Sequence, residues 1–203
     1  MTAGDVETIT QLVLHERRAR DRGWWDRMRD AYWPEAVVSI SWFTGPAHEF
    51  VTASEAMSGG GTVATHRLAP VVVETAGERA LAEAPAAIEV VTTVDGAPAV
   101  LTSFTRLQFR ALRREGRWRL LGLDAVYERD ALEPATPGAT VAVDAAALAP
   151  FRSSYRLLSW HLTGRGHTIG ADLLGDDRPA EVAAFYEREH RWLHDDHLDG
   201  GHR

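Results

Sequence analysis

Three dipeptides punctuate the middle of the chain: Ala76-Gly77, Asp95-Gly96 and Glu115-Gly116. Each is a turn signal, and Asp-Gly is a strong hairpin dipeptide. The segments they separate are long and rich in β-branched and aromatic residues. From Thr62 to Asp130 the pattern therefore predicts four strands of roughly a dozen residues in an antiparallel meander. Strands of that length twist, so the sheet curves strongly and acquires a concave face that other elements must cover.

The covering material precedes the meander. Val6, Ile9, Leu12 and Val13 recur at helical spacing and predict a helix over residues 4–22. The same stripe, continued, carries Glu16, Arg17, Arg20 and Asp21. Charges on a buried face are costly unless they pair or line a cavity. Gly23 ends this helix, and a second runs from Trp24 to Tyr32, ahead of Pro34. Ala36 to Phe43 reads as a strand with Val38, Ile40 and Trp42 on one face. Gly45-Pro46 breaks it, and Ala47 to Met57 is a third helix, followed by a flexible connection at Ser58-Gly59-Gly60-Gly61. The fold class is α+β: three N-terminal helices packed on a strongly curved antiparallel sheet. Trp24, Trp25, Tyr32, Trp33 and Trp42 crowd the first junction.

Glu133 to Gly138 is a linker signal. Beyond it, Leu148 to Leu162 is amphipathic through Phe151, Tyr155 and Leu158. Arg178 to Leu193 is a second helix, with Asp177 as its cap and Pro179 near its start. The domain reading is a main domain over 1–132, a linker over 133–147, a C-terminal helical extension over 148–195 and a tail over 196–203. The extension docks on the core or on a partner subunit.

A net charge of −7 over 203 residues argues against nucleic-acid binding, which needs a clustered positive face. Arg110, Arg113, Arg114, Arg117 and Arg119 straddle the Glu115-Gly116 turn and read as a solvated hairpin end. Without cysteine there is no disulfide, thiolate nucleophile or cysteine-bound metal. The N-terminus lacks a signal-peptide pattern, and no apolar run approaches the roughly 20 residues of a membrane span. The expectation is a soluble cytoplasmic protein with no membrane partner.

His66 is the residue best suited to chemistry. It alternates with Leu68, Pro70 and Val72, and a histidine on an apolar strand face abstracts a proton if a carboxylate holds its tautomer. Asp21, at the end of the first helix, is that carboxylate. On these residues alone, a core histidine bonded to backbone or to a nearby acid is the simpler reading. Arg106 sits mid-strand with Gln108 and Arg110. It binds a developing anion if its face is concave, or belongs to a solvated row if it is not. Trp42, Val38 and Phe50 are apolar walls or ordinary core, and Glu16 is a second pocket acid or a partner of Arg20. His194, His197 and His202 form a polar terminus rather than a metal site, and no metal is expected. His161 and His167 flank a helix end, where cationic side chains are favoured.

The run from Asp21 to Phe43, DRGWWDRMRDAYWPEAVVSISWF, followed by Ala64-Thr65-His66-Arg67-Leu68, resembles the NTF2-like superfamily, over about residues 5–130. The resemblance is to its SnoaL-like branch of polyketide cyclases, dehydratases, ketosteroid isomerases and a dehydrochlorinase. It implies a cone-shaped fold and a catalytic pair at the matching positions, His66 as base and Asp21 as its support. It also implies a cofactor-independent lyase, isomerase or cyclase acting on a small, mostly apolar organic molecule, in a homo-oligomer, dimer or trimer. The same superfamily contains non-catalytic ligand-binding and assembly subunits, such as the dioxygenase β subunit, which is the alternative. One departure matters: scytalone dehydratase carries a second active-site histidine on a later strand, and this sequence has none between His66 and His161.

Overall fold

The computed structural model describes residues 3–59 and 64–194. Helix α1 (Ala3–Arg22), helix α2 (Trp25–Asp30), strand β1 (Tyr32–Ile40), strand β2 (Phe43–Pro46) and helix α3 (Ala47–Gly59) come first. Strands β3 (Ala64–Leu68), β4 (Val72–Ala76), β5 (Arg79–Val94), β6 (Ala97–Arg114) and β7 (Arg117–Pro134) follow. Helices α4 (Ala145–Leu148), α5 (Arg156–Gly164) and α6 (Pro179–His194) complete the chain. The connection at residues 60–63 and the histidines at 197 and 202 lie outside the described residues.

The strands form one seven-stranded sheet in the order β2-β1-β7-β6-β5-β3, with β4 also on β5. The meander has the expected turns. Asp95 and Gly96, and likewise Glu115 and Gly116, all take positive φ, the backbone of the two-residue turn that matches strand twist. Its first strand is divided at Ala69-Pro70 into β3 and β4, because proline has no N–H to give to the ladder. Pairing is not wholly antiparallel either: β1 runs parallel to β7. Strand β1 also starts four residues earlier than expected and holds Pro34, where the register with β7 shifts between Tyr32 and Val37. It ends at Ile40, so Trp42 lies in the turn to β2 rather than on the strand.

Strand β6 shows how the two faces divide. Leu101, Ser103, Thr105, Leu107, Phe109 and Ala111 are all buried on one side, toward α1 and α3. Arg106 and Arg110 point to the other. Helix α1 lies in the concavity with Ile9 and Val13 fully buried, and α3 closes it with Phe50 and Val51. The extension splits between the faces. Helix α5, cut back from the expected Leu148–Leu162 by Pro150, lies on the concave side, where the N–H of Leu158 donates to Asp130 at 3.0 Å. Helix α6 lies on the convex side, where Arg110 makes a two-pronged bond to Glu189 and Tyr186 bonds Glu83. Asp177, expected as the cap of α6, accepts from Arg152 and Ser154. No helix among the described residues is long and apolar enough to cross a membrane.

Candidate active site

The charged end of α1 reaches the edge strand β3, and there the histidine and the aspartate meet. Asp21 takes both N–H groups of His66, the ring Nδ1 at 2.6 Å and the backbone N at 2.9 Å. Accepting the Nδ1 proton fixes the tautomer and leaves the lone pair on Nε2. Burial pushes His66 below its ordinary pKa; the Asp21 bond opposes this and the Arg17 charge reinforces it. Burial also acts to raise Asp21, but its bonds to His66 and the His66 charge outweigh that and hold it below the usual carboxylate range. The resting pair is a neutral imidazole beside a carboxylate, the state a general base requires.

Behind His66 stands a buried relay. Arg17 Nη1 lies 3.4 Å from His66 Nε2, and its remaining nitrogens grip both oxygens of Glu16. Tyr32 donates to the same carboxylate at 3.0 Å. Glu16 is wholly buried and Arg17 nearly so. Burial disfavours the charged guanidinium, but Glu16 more than compensates, and Arg17 remains charged. Glu16 is therefore the partner of Arg17, not of Arg20, and stands behind the cavity rather than on its wall.

The cavity itself has a volume of about 80 Å³, several times what one water molecule occupies. His66, Arg17, Arg20, Trp42 and Phe50 line one side. Trp42 packs on Phe50 with ring centres 5.5 Å apart. Of the expected apolar walls, Trp42 and Phe50 face the cavity, whereas Val38 is buried core beneath it. Arg106 is a correction. Its face is the convex one, where it bonds Glu128 and Glu83, both at 2.8 Å. Even-numbered positions of β6 all point away from α1, so no anion in the cavity meets it.

Besides Arg17, which Glu16 holds, the cation that lines the cavity is Arg20. It is 5% exposed, bonds the hydroxyl of Ser58 at 3.3 Å and lies over the Trp25 ring. Among the described residues it has no carboxylate at ion-pair distance. Burial, then the Arg17 charge, brings its pKa down to about 10, so it stays protonated at neutral pH. The α1 stripe contained this residue, but nothing in the spacing distinguished its role from that of Arg17.

The first 124 residues match the family model of the SnoaL-like domain, well over half of the chain. The chain belongs to the SnoaL-like family. A PEP2-like protein of Fusarium vanettenii is 26% identical over 209 aligned positions, covering 93% of this chain and 90% of its own. Among solved structures, a candidate dehydratase of the NTF2-like family from Streptomyces avermitilis superposes with a TM-score of 0.53 at 15% identity. It covers 62% of this chain and 97% of its own. LinA superposes with a TM-score of 0.54 at 14% identity, covering 70% of this chain and 95% of its own. These structures share the NTF2-like fold with this SnoaL-like protein.

Proposed function

We propose that this SnoaL-like protein is a cofactor-independent enzyme of the lyase, isomerase or cyclase type. His66 removes a proton from carbon on a small, mostly apolar substrate. The observation that carries the reading is the Asp21–His66 bond of 2.6 Å beside a cavity that His66 lines.

In the proposed step, the Nε2 lone pair takes the substrate proton and the C–H bonding pair moves toward an adjacent carbonyl. The imidazolium that forms is held by Asp21. The contact from Arg17 to Nε2 is long, at 3.4 Å, and yields as the proton arrives. Negative charge then appears on the carbonyl oxygen, and Arg20 meets it. A fixed positive charge in a dry site is worth more than the same charge in water. The proton returns to a neighbouring carbon in an isomerase, or a leaving group departs in a lyase.

The assay that isolates this step is deuterium exchange. The protein is incubated in D2O with small cyclic ketones, and loss of the α-proton signal is followed by NMR. Wild type is expected to accelerate exchange for at least one ketone, and His66→Ala to return it to the background rate. Exchange unchanged in His66→Ala sinks the reading and favours a ligand-binding role.

A further inference from the structure

Across the sheet from His66, the cavity has a second polar end. The residue pairs run His66–Ile88, Ile88–Ser103 and Ser103–Asp130, so these four side chains form one transverse row on the concave face. Two strand spacings of ~4.8 Å put Ser103 about 10 Å from His66 along the row. Above Ser103 lies α5, which turns Leu158, His161 and Leu162 into the cavity. His161 is 7% exposed, and its Nε2 has no hydrogen-bond partner among the described residues. The hydroxyl of Ser103 is fully buried and likewise has no hydrogen-bond partner among the described residues, with Asp130 as its cross-strand neighbour.

Buried polar groups are ordinarily satisfied, because an unpaired one carries a desolvation cost. Two at one end of a cavity are a recognition surface for a polar ligand atom. We propose that His161 Nε2 and Ser103 Oγ bind an oxygen function, hydroxyl or carbonyl, at the end of the substrate remote from the proton that His66 removes. Leu107, Ile88 and Val90 line the wall between the two ends. The substrate class is thus a compact ring or short chain, apolar in the middle and oxygenated at the far end. The proposal rests on the cavity being a substrate site and assigns a binding role to the C-terminal extension.

The chemistry of the two groups suits either oxygen. Burial, with the nearby Arg165 and His167 charges, keeps His161 below its ordinary pKa and hence neutral. A neutral imidazole offers one N–H and one lone pair, and a serine hydroxyl offers both roles. A hydroxyl ligand and a carbonyl ligand are each accommodated, whereas a hydrocarbon leaves both groups unpaired.

Binding of phenol, cyclohexanone and toluene is measured by calorimetry on wild type, His161→Phe, His161→Gln, Ser103→Ala and His66→Ala, after melting curves confirm that each variant is folded. Wild type is expected to prefer phenol and cyclohexanone over toluene by about tenfold or more, the equivalent of ~1.4 kcal/mol. His161→Phe is expected to bring that ratio close to one while retaining toluene, and His161→Gln to restore part of it. Ser103→Ala reduces the ratio in a correctly folded protein, which covers the case of His161→Phe failing to fold. His66→Ala leaves the ratio intact even though it abolishes deuterium exchange, so failure of the base and failure of the anchor are distinguishable. An undiminished ratio in both His161→Phe and Ser103→Ala overturns the proposal. So does a wild type that binds none of the three ligands, or all of them equally.

Discussion

Asp21 and His66 are joined twice, through the ring and through the backbone, by one carboxylate at 2.6 and 2.9 Å. The second bond ties the end of α1 to the edge strand itself. The imidazole therefore cannot shift without moving the helix, and its orientation is set before any substrate arrives.

This geometry predicts a titration. Burial lowers the His66 pKa, and the Asp21 bond is the main influence that raises it. In wild type the imidazole is expected to protonate only below pH 6.5, and in Asp21→Asn at still lower pH. Nitrogen NMR of the ring reads both directly. Where exchange is catalysed, Asp21→Asn is expected to slow it by about 10²–10⁴-fold. An upward shift of the His66 pKa in Asp21→Asn is incompatible with this account.

The relay behind the base predicts a stability effect. Glu16 and Arg17 are both buried, and each satisfies the other. Glu16→Gln strands a buried guanidinium and is expected to cost about 3–5 kcal/mol in urea unfolding, since breaking one side of such a pair leaves an uncompensated charge. Adding Arg17→Met to that variant is expected to recover much of the loss. An additive double variant argues against direct coupling.

How far the sequence led depends on what each residue's role requires. Asp95-Gly96 and Glu115-Gly116 named two hairpins, because positive φ at both central positions leaves few residue choices. The α1 stripe identified Glu16, Arg17, Arg20 and Asp21 as inward-facing, because helical periodicity decides which side a residue faces. It did not decide which charge pairs with which, since neighbouring positions on one helix face compete for partners that only the fold brings near. Arg106 was undecided because alternation in a strand separates two faces without saying which is concave. His161 looked like a cation at a helix end. Its place on the cavity wall comes from α5 lying across the concave face, and amphipathicity does not specify where a helix docks.

Asp130 predicts a pH dependence of stability. Burial pushes its carboxyl up to about 6, against the pull of the Leu158 N–H bond and of the neighbouring Ser103 hydroxyl. In the unfolded chain an aspartate titrates near ~3.9. Between those values the folded protein holds a proton that the unfolded chain releases, so this group's contribution to stability falls as pH rises from about 4 to 6. Asp130→Asn keeps an acceptor for the N–H of Leu158 and removes the titration. The variant is expected to gain stability relative to wild type on going from pH 4 to pH 7.5, by about 1–3 kcal/mol. A difference between the two proteins that is constant with pH contradicts the burial of this carboxyl.

The two arginines provide the sharpest contrast. Arg106 lies on the convex face between Glu83 and Glu128, and Arg20 lies in the cavity without, among the described residues, a carboxylate at ion-pair distance. Arg106→Met is expected to leave deuterium exchange unchanged. Arg20→Met is expected to lower it by about 10²–10³-fold, the usual cost of removing one group that stabilises a developing anion. Stability should move the other way. The Arg20 pKa, brought down to about 10, means that the fold opposes its charge, so methionine of similar length is expected to leave the melting temperature unchanged or raise it. A functional group held against the preference of its surroundings gives this opposed pair of effects, lower activity with no loss of stability. A structural arginine lowers the melting temperature when removed, and that outcome takes Arg20 out of the reaction.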